Sequence, residues 1–360
     1  MIQLLHGNRQ QFRWRHSDIN IIGKTDAKLP VVSSTYRLND NLPVHFYLEP
    51  KPKLELPKYP WRTRTPSVLR LRGLPGYFNL EIPIDSPALK EGWNQIDIRI
   101  ENRPGEVEVL NAEFHWDSQP LPLPLNLQDL SSYNNIQEIG QVVNGNFEID
   151  RANNVIRSLK PVGSDILLLL GSPHGSQEAT YDVRFTGKGW GSHFLGLSDF
   201  FAEHTEQSPD LGIKPGYSTA GLATIDRKGY SQIWMAWGDC LYDKQNTWVI
   251  STEKKVKIAI EVGVTYSVRH QVVIKDGVNY GRCRIWKKGN PEPDFWSCQQ
   301  NNAHLDPKLP RITQGSFGLF QYWGLPTEWS NISVRALDNK ENLYPHEFKQ
   351  RYNQQLTTNN

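Results

Sequence analysis

The sequence predicts an all-β protein built from two sandwiches, and three observations support this prediction. Short stretches that alternate polar and apolar residues recur about every ten residues, and Gly, Pro, Asn and Asp bound them, as is typical of strands and turns. Few windows show the i, i+3, i+4, i+7 spacing of an amphipathic helix. The chain has 360 residues, more than one domain usually has, so two domains with separate cores are expected.

Residues 1–119 are predicted to form the smaller sandwich. Its alternating segments are residues 36–40, 44–50, 68–73, 77–84, 94–102 and 106–116. Six or seven strands over roughly 100 residues is the size of an immunoglobulin-like sandwich. Gly92 supplies a turn before the fifth segment, because glycine accepts a positive φ at no steric cost.

A proline-rich stretch, PLPLPLNL at residues 120–127, separates this sandwich from the rest. Alternating prolines remove every second backbone donor and favour an extended polyproline conformation. We therefore expect a stiff connector over residues 120–138 rather than a strand. The second domain then spans residues 139–337, and residues 338–360 form a polar, Gln/Asn-rich tail.

About a dozen alternating segments follow in the second domain, too many for an immunoglobulin-like domain and suited to a larger double-sheet jelly roll. The first, residues 139–150, is predicted to be a hairpin whose turn is Asn144-Gly145, a strong turn dipeptide. Later predicted strands include residues 256–263, 266–275 and 279–288.

Two motifs carry a resemblance to a known family. Residues 282–297 read RCRIWKKGNPEPDFWS, and residues 314–334 read QGSFGLFQYWGLPTEWSNISV. Together they resemble the last third of concanavalin A-like, laminin-G-like jelly rolls. In such domains a strand with a central Trp is followed by a Gly turn, a Glu-Pro-x-x-Trp segment and two closing strands. The resemblance covers roughly residues 141–337. The preceding block resembles the first half of bacterial proteins of unassigned function that join a small sandwich to such a jelly roll.

That resemblance implies an architecture, because its relatives include lectins, carbohydrate-binding modules, glycoside hydrolases, polysaccharide lyases and adhesion modules. Our leading hypothesis is non-catalytic recognition of a glycan or polysaccharide through the concave face of the jelly roll. One alternative is a polysaccharide-degrading glycosidase or lyase on the same groove. Another is a structural or adhesion module with protein partners.

Charge and apolar runs exclude other classes of function. Lys+Arg total 40 and Asp+Glu total 38, so no global basic field exists to hold nucleic acid. The longest apolar run, Ile166 to Leu170, is far shorter than the roughly 18 residues of a membrane span. The apolar run at the start is too short for a signal peptide, so we expect a cytoplasmic protein unless it is exported by a non-classical route.

Cysteine and acidic residues offer few signs of a metal site. Three cysteines, Cys240, Cys283 and Cys298, lack C-x-x-C spacing, and we expect reduced structural thiols, with a Cys283–Cys298 bridge as the alternative. No cofactor is predicted. Residues 199–210 and 226–231 hold enough oxygen ligands for structural calcium but not the ordered spacing of a calcium loop, and we expect solvated loops there.

Tryptophan is the residue type that points to sugar binding. The chain contains 12, concentrated after residue 190, and aromatic rings stack on the C–H faces of pyranoses. About two thirds should be core, Trp329 among them. The predicted groove is lined by Trp190, His193, Trp237, Arg282, Arg284 and Trp286.

Strand periodicity sharpens the last part of this prediction. Arg282, Arg284 and Trp286 share one face of their strand, whereas Cys283 and Ile285 face the packed interior.

Catalytic residues are not assigned. Glycosidases of this fold carry a Glu-x-Asp-x-x-Glu strand, and the nearest pair here, Glu148 and Asp150, lacks the third carboxylate. A lyase would need Arg269 and His270 in one groove, but neighbours along a strand face opposite ways.

Overall fold

The computed structural model describes residues 1–15, 18–26, 31–46, 48, 76–159, 165–187, 194–205, 216–226, 229–236, 248–250, 257–303, 311–322 and 326–338. These residues form strands, turns and one short 3-10 helix, Ile136–Glu138. The predicted fold class, an all-β chain in which a small sandwich precedes a larger jelly roll, is confirmed. In this described part of the chain, no helix is long and apolar enough to cross a membrane.

The amino-terminal unit is a sandwich of two sheets. Its strands are β1 (Ile2–Leu4), β2 (Arg9–Arg13), β3 (Asp18–Thr25), β4 (Val31–Leu38), β5 (Val44–His45), β6 (Tyr77–Pro83), β7 (Gly92–Asn102) and β8 (Val107–Asp117). One sheet has the order β1-β3-β6, and the other has the order β2-β8-β7-β4-β5. Strand β2 runs parallel to β8. The assignment of this sandwich as immunoglobulin-like stays a prediction.

Alternation of residues along the strands builds the core of this unit. Ile96, Ile98 and Ile100 of β7 are almost fully buried and meet Ile19 and Leu80 from the opposite sheet. Burial of each such side chain stabilises the sandwich by about 1.5–3 kcal/mol. Predicted segment 68–73 lies outside the described residues.

The second unit contains two larger sheets. Its strands are β9 (Leu125–Leu127), β10 (Gly140–Asn144), β11 (Phe147–Asp150), β12 (Val155–Ser158), β13 (Asp165–His174), β14 (Gln177–Phe185), β15 (Phe194–Thr205), β16 (Gly216–Asp226), β17 (Ser231–Ala236), β18 (Trp248–Ile250), β19 (Thr265–Lys275), β20 (Val278–Lys287), β21 (Cys298–Asn301), β22 (Gly315–Tyr322) and β23 (Thr327–Ala336). The seven-stranded sheet has the order β10-β13-β22-β15-β16-β17-β18. The eight-stranded sheet has the order β11-β12-β23-β14-β19-β20-β21 with β9 paired to β23.

Among the described residues, one large apolar cluster and a smaller one of Ala220, Val272 and Ile312 fill the space between these two sheets. Trp329 on β23 is fully buried there and lies 5.9 Å from Phe147, measured between ring centroids, which confirms its prediction as a core residue. Two glycines let the sheets approach closely: the α-carbon of Gly221 lies 3.3 Å from the position that a Cβ of Gly281 would occupy. The core therefore leaves no room for larger residues at that crossing.

Three local predictions were wrong. The proline-rich connector contains a strand, because the last proline is Pro124 and the next three residues, β9, pair with β23. Asn144-Gly145 does form a turn, with Gly145 at φ +95, but β10 joins the seven-stranded sheet and β11 the eight-stranded one, so they are no hairpin. Residues 257–263 contain only an isolated bridge at Lys257.

The two units pack against each other through a buried interface. Trp14 of the first unit lies on Val143, Leu167, Leu169 and Phe320, on the outer face of the seven-stranded sheet. Buried amide side chains add hydrogen bonds across the interface: Asn79 Nδ2 to Val143 O (3.2 Å), Gln141 Nε2 to Asp18 O (2.9 Å) and Gln137 Nε2 to Gln10 Oε1 (3.3 Å). These buried hydrogen bonds fix the relative position of the sandwiches.

Candidate functional site

Strand β20 presents its two faces as the alternation predicts. Cys283 and Ile285 are 1% and 5% exposed and belong to the core between the sheets. Arg282, Arg284 and Trp286 therefore project from the outward face of the eight-stranded sheet.

Neighbouring strands continue this polar outward face. In the antiparallel register, Arg282 lies opposite Gln271 on β19, Gln271 opposite Glu178 on β14, and Glu178 opposite Arg335 on β23. Arg284 lies opposite Arg269. We call the following cluster the arginine face: Glu178, Arg269, Gln271, Arg282, Arg284, Glu292 and Arg335.

Two glutamates hold the arginine face together. Arg269 donates from Nη1 to Glu178 (2.8 Å) and from Nε and Nη2 to Glu292 (2.8 and 3.0 Å). Glu178 also accepts from Arg335 (3.0 Å) and Gln271, and its side chain is only 5% exposed. Charge-assisted and bidentate bonds of this kind fix side-chain geometry strongly.

The segment after β20 folds back over the sheet. Arg284 Nη1 donates to Glu292 (2.8 Å), and the guanidinium carbons of Arg282 and Arg284 lie 4.3 and 4.2 Å from the ring centroid of Trp296. Arg282 also donates from Nε to Gln271 Oε1 (2.6 Å). Cation–π contacts and ion pairs thus dock Trp296 onto the two arginines.

The electrostatics of Glu292 follow from these contacts. Burial alone would raise the pKa of this carboxyl, but hydrogen bonds and charge attraction from Arg269 and Arg284 outweigh burial and lower the pKa. Glu292 is therefore an ionised anchor for the arginines at neutral pH. With four arginines and two glutamates, the arginine face carries a formal charge of +2.

A second polar cluster lies beside the arginine face on the same sheet. Asp182 accepts from Ser267 Oγ (2.7 Å), Lys288 Nζ (2.6 Å) and Asn331 Nδ2 (2.6 Å). Burial acts to raise the pKa of Asp182, but these hydrogen bonds and the Lys288 charge lower it overall. Trp286 lies next to this cluster, opposite Ser267 in the register.

Aromatic rings with exposed surface lie at or near both clusters: Trp296 packs on Arg282 and Arg284, Trp286 lies opposite Ser267, and Phe295 precedes Trp296 in the sequence. Phe295 is 48% exposed, and Trp286 and Trp296 are partly exposed. We call Trp286, Phe295 and Trp296 the aromatic ledge. Rings of this kind beside fixed donors and acceptors can present both an apolar surface and hydrogen bonds to one ligand.

Only part of the predicted groove can be located. Arg282, Arg284 and Trp286 come together on one face, whereas Trp190, His193 and Trp237 lie outside the described residues. Strand β15 begins directly after His193, and strand β17 ends directly before Trp237. Both strands belong to the seven-stranded sheet, whereas β20 belongs to the eight-stranded one. A single groove lined by all six residues stays a prediction.

Other acidic and histidine candidates have structural roles. Glu148 and Asp150 both pair with Arg157 on the adjacent strand β12. His270 points into the core, where burial lowers its pKa to about 3, whereas Arg269 faces outward, as expected from the alternation. Across the described ranges, no group of three or more His, Cys, Asp or Glu side chains could hold a metal ion.

Several residues of this site were not predicted from the sequence. The sequence does contain Glu292 and Trp296 within its Glu-Pro-x-x-Trp motif, and this motif was a sign that the segment returns to the sheet. The partners Glu178, Gln271 and Arg335 come from strands β14, β19 and β23, and only the sheet register brings them to Arg282.

Comparisons with known proteins find similarity in the backbone fold alone. No protein-family model matches the sequence, and no curated protein matches it. A carbohydrate-binding module, CBM66, from Bacillus subtilis is 11% identical, with 55% of this chain and 95% of that chain covered and a TM-score of 0.33. A legume lectin-like domain from Entamoeba histolytica is 11% identical, with 62% and 98% covered and a TM-score of 0.38.

Lectin I from Ulex europaeus, solved in complex with the methyl glycoside of alpha-L-fucose, is 10% identical, with 59% and 96% covered and a TM-score of 0.36. At TM-scores below 0.5, such likenesses assign no role to any residue of this chain. The function is therefore inferred from the side chains of the site.

Proposed function

We propose that this protein recognises a glycan without chemically changing it, through the arginine face and the aromatic ledge. The observation that carries the proposal is that the partly exposed Trp296 ring packs on Arg282 and Arg284 and lies, with Trp286, on a face that holds a dense, fixed set of charged and amide groups. Sugars offer both C–H faces and hydroxyl groups, and this surface offers a counterpart to each.

Preorganisation supports binding at this surface. The arginines, glutamates and Gln271 already hold one another by hydrogen bonds of 2.6–3.1 Å, apart from the shorter contact of Gln271 with Glu178. A ligand would not have to order these long side chains, and each ordered side chain otherwise costs about 0.5–1.5 kcal/mol on binding. The surplus of positive charge favours a sugar that carries carboxylate or sulfate groups.

The same contacts favour recognition over catalysis. A glycosidase needs a carboxylic acid that keeps its proton near neutral pH, usually through a raised pKa. The pKa of Glu292 is lowered instead, and Arg269 bridges Glu292 and Glu178. Glu292 is therefore held as an anion that positions arginines, and Glu178 is engaged in ion pairs with Arg269 and Arg335.

A titration with oligosaccharides tests the proposal. Neutral and uronate-containing oligosaccharides are added to the full chain while tryptophan fluorescence is recorded, and saturable quenching is expected, stronger for the uronates. Trp296→Ala should weaken binding by about 5- to 150-fold, since loss of one stacked ring costs about 1–3 kcal/mol in comparable aromatic platforms. Trp93→Ala is the matched control, because Trp93 is 44% exposed but lies in the other sandwich.

The outcomes are distinct. Equal weakening by Trp93→Ala and Trp296→Ala would place binding elsewhere. No response to either class of sugar, or release of sugar products during the titration, would contradict recognition without catalysis.

A further inference from the structure

Two cysteines face each other in the interior of the second sandwich. Cys283 on β20 and Cys298 on β21 are direct partners in the antiparallel register. Both are free thiols and are 1% and 3% exposed. Neither takes part in the arginine face, which lies on the opposite side of the sheet.

Their placement suits a covalent bond. Direct partners on antiparallel strands have Cα atoms about 4.5–5.5 Å apart, within the roughly 4.4–6.8 Å that disulfides span. The two side chains also point to the same side of the sheet, into one core cluster. The adjacent Cys298 thiol, together with burial, raises the pKa of Cys283 and keeps it protonated while the strands are closed.

We propose that Cys283 and Cys298 form a reversible cross-strand disulfide when the protein meets a disulfide oxidant such as glutathione disulfide. Strand β21 has four residues and, among the described residues, is the last strand of its sheet, so opening of this edge exposes Cys298 first. No rearrangement of β20 is then needed to bring the second thiol into place.

The exchange balances in two steps. The Cys298 thiolate attacks one sulfur of glutathione disulfide, which forms a mixed disulfide and releases one glutathione thiolate. The Cys283 thiolate then attacks the sulfur of Cys298 and releases the second glutathione thiolate. The two cysteine protons end on two molecules of reduced glutathione.

The disulfide would lie directly beneath the segment that carries Glu292 and Trp296. Cys283 lies between Arg282 and Arg284, and Cys298 follows Trp296 by two residues. Oxidation would therefore close a loop over residues 284–297 and restrain the segment that carries Glu292 and Trp296 at both ends. Reduction would leave that segment held by its ion pairs and cation–π contacts alone.

Peptide mapping of the full chain tests this proposal. The folded protein is incubated with glutathione disulfide or with a reductant, remaining thiols are alkylated, and the denatured protein is cut after lysine. Cys283 then lies in peptide 276–287 and Cys298 in peptide 289–308, while Cys240 lies in peptide 229–244. After oxidation, peptides 276–287 and 289–308 should appear as one linked species that a reductant separates.

Three results would overturn the proposal: both peptides alkylated after oxidation, glutathione adducts without a link, or a link to peptide 229–244. Cys298→Ser is the control variant and should yield no linked pair. If that variant does not fold, the comparison of oxidised and reduced wild-type protein still decides, because the linked species identifies both cysteines.

Discussion

Glu178 is predicted to be the most important single anchor of the arginine face. Its carboxylate is 5% exposed and accepts from Arg269, Arg335 and Gln271. Glu178→Gln would leave two guanidinium groups without their shared anion. Removal of one partner from a buried ion pair costs about 3–5 kcal/mol, because the other charge stays uncompensated.

Solvent reduces that cost. Arg269 and Arg335 have side chains 30% and 42% exposed, so water replaces part of the lost interaction. We therefore expect a loss of about 2 kcal/mol in the free energy of unfolding, intermediate between the buried and exposed limits. For a unit of this size, that corresponds to a fall in Tm of roughly 4–8 °C.

Thermal unfolding followed by circular dichroism measures the effect, with Glu261→Gln as the control. Glu261 pairs with Lys287 at 3.6 Å, both side chains are more than half exposed, and little change is expected. Equal Tm values for Glu178→Gln and Glu261→Gln would refute the assignment of Glu178 as an anchor.

Two further predictions concern the core and the interface. Gly221→Ala should lower the free energy of unfolding, measured by urea denaturation, by about 1–3 kcal/mol, because the new Cβ would lie 2.7 Å from Val272 Cγ2. Gly175→Ala is the control and should not lower it, because the nearest atom to its Cβ would be 3.7 Å away. Burial lowers the pKa of His6 to about 4, and its neutral Nε2 accepts from the Phe147 amide (3.4 Å). The unfolded chain binds the extra proton below about pH 6.5, so stability should be fully present above that pH and fall by up to about 3 kcal/mol towards pH 4. In His6→Gln, urea denaturation across this pH range should show a shallower fall; an unchanged slope would contradict the role of His6.

Strand periodicity predicted much of the fold because the interior of a sandwich selects alternate residues. The same signal was present at the amino terminus, where Ile2 and Leu4 in β1 and Gln10 and Phe12 in β2 alternate as buried residues. Strands β1 and β2 were nevertheless not predicted, since the start of the chain was assessed only as a signal peptide, and no strand was predicted over β3. The all-β class depended on local patterns and was therefore accessible from the sequence.

Pairing partners depend on distant residues and were less accessible. Asn144-Gly145 specifies a turn, but the Cβ position of Gly145 lies 2.4 Å from Ile166, so packing against β13 decides where the chain goes next. Likewise, the prolines before Leu125 predict a connector, yet the backbone donors return after Pro124 and β23 is available to pair with them. The local sequence therefore determines which backbone conformations are possible, and the sheet edge that is available for pairing decides which of them forms.

The candidate site shows the same division between local and distant information. Alternation correctly predicted that Arg282, Arg284 and Trp286 share an outward face, but it did not predict that Trp296 covers both arginines. Arg282 is only 6% exposed as a result, so its charge acts on Trp296 and Gln271 more than on solvent. Since a guanidinium stacked beneath a ring holds that ring in place, Arg282 and Arg284 also position Trp296. In the proposed function, the ring that they hold is the group that stacks on the sugar.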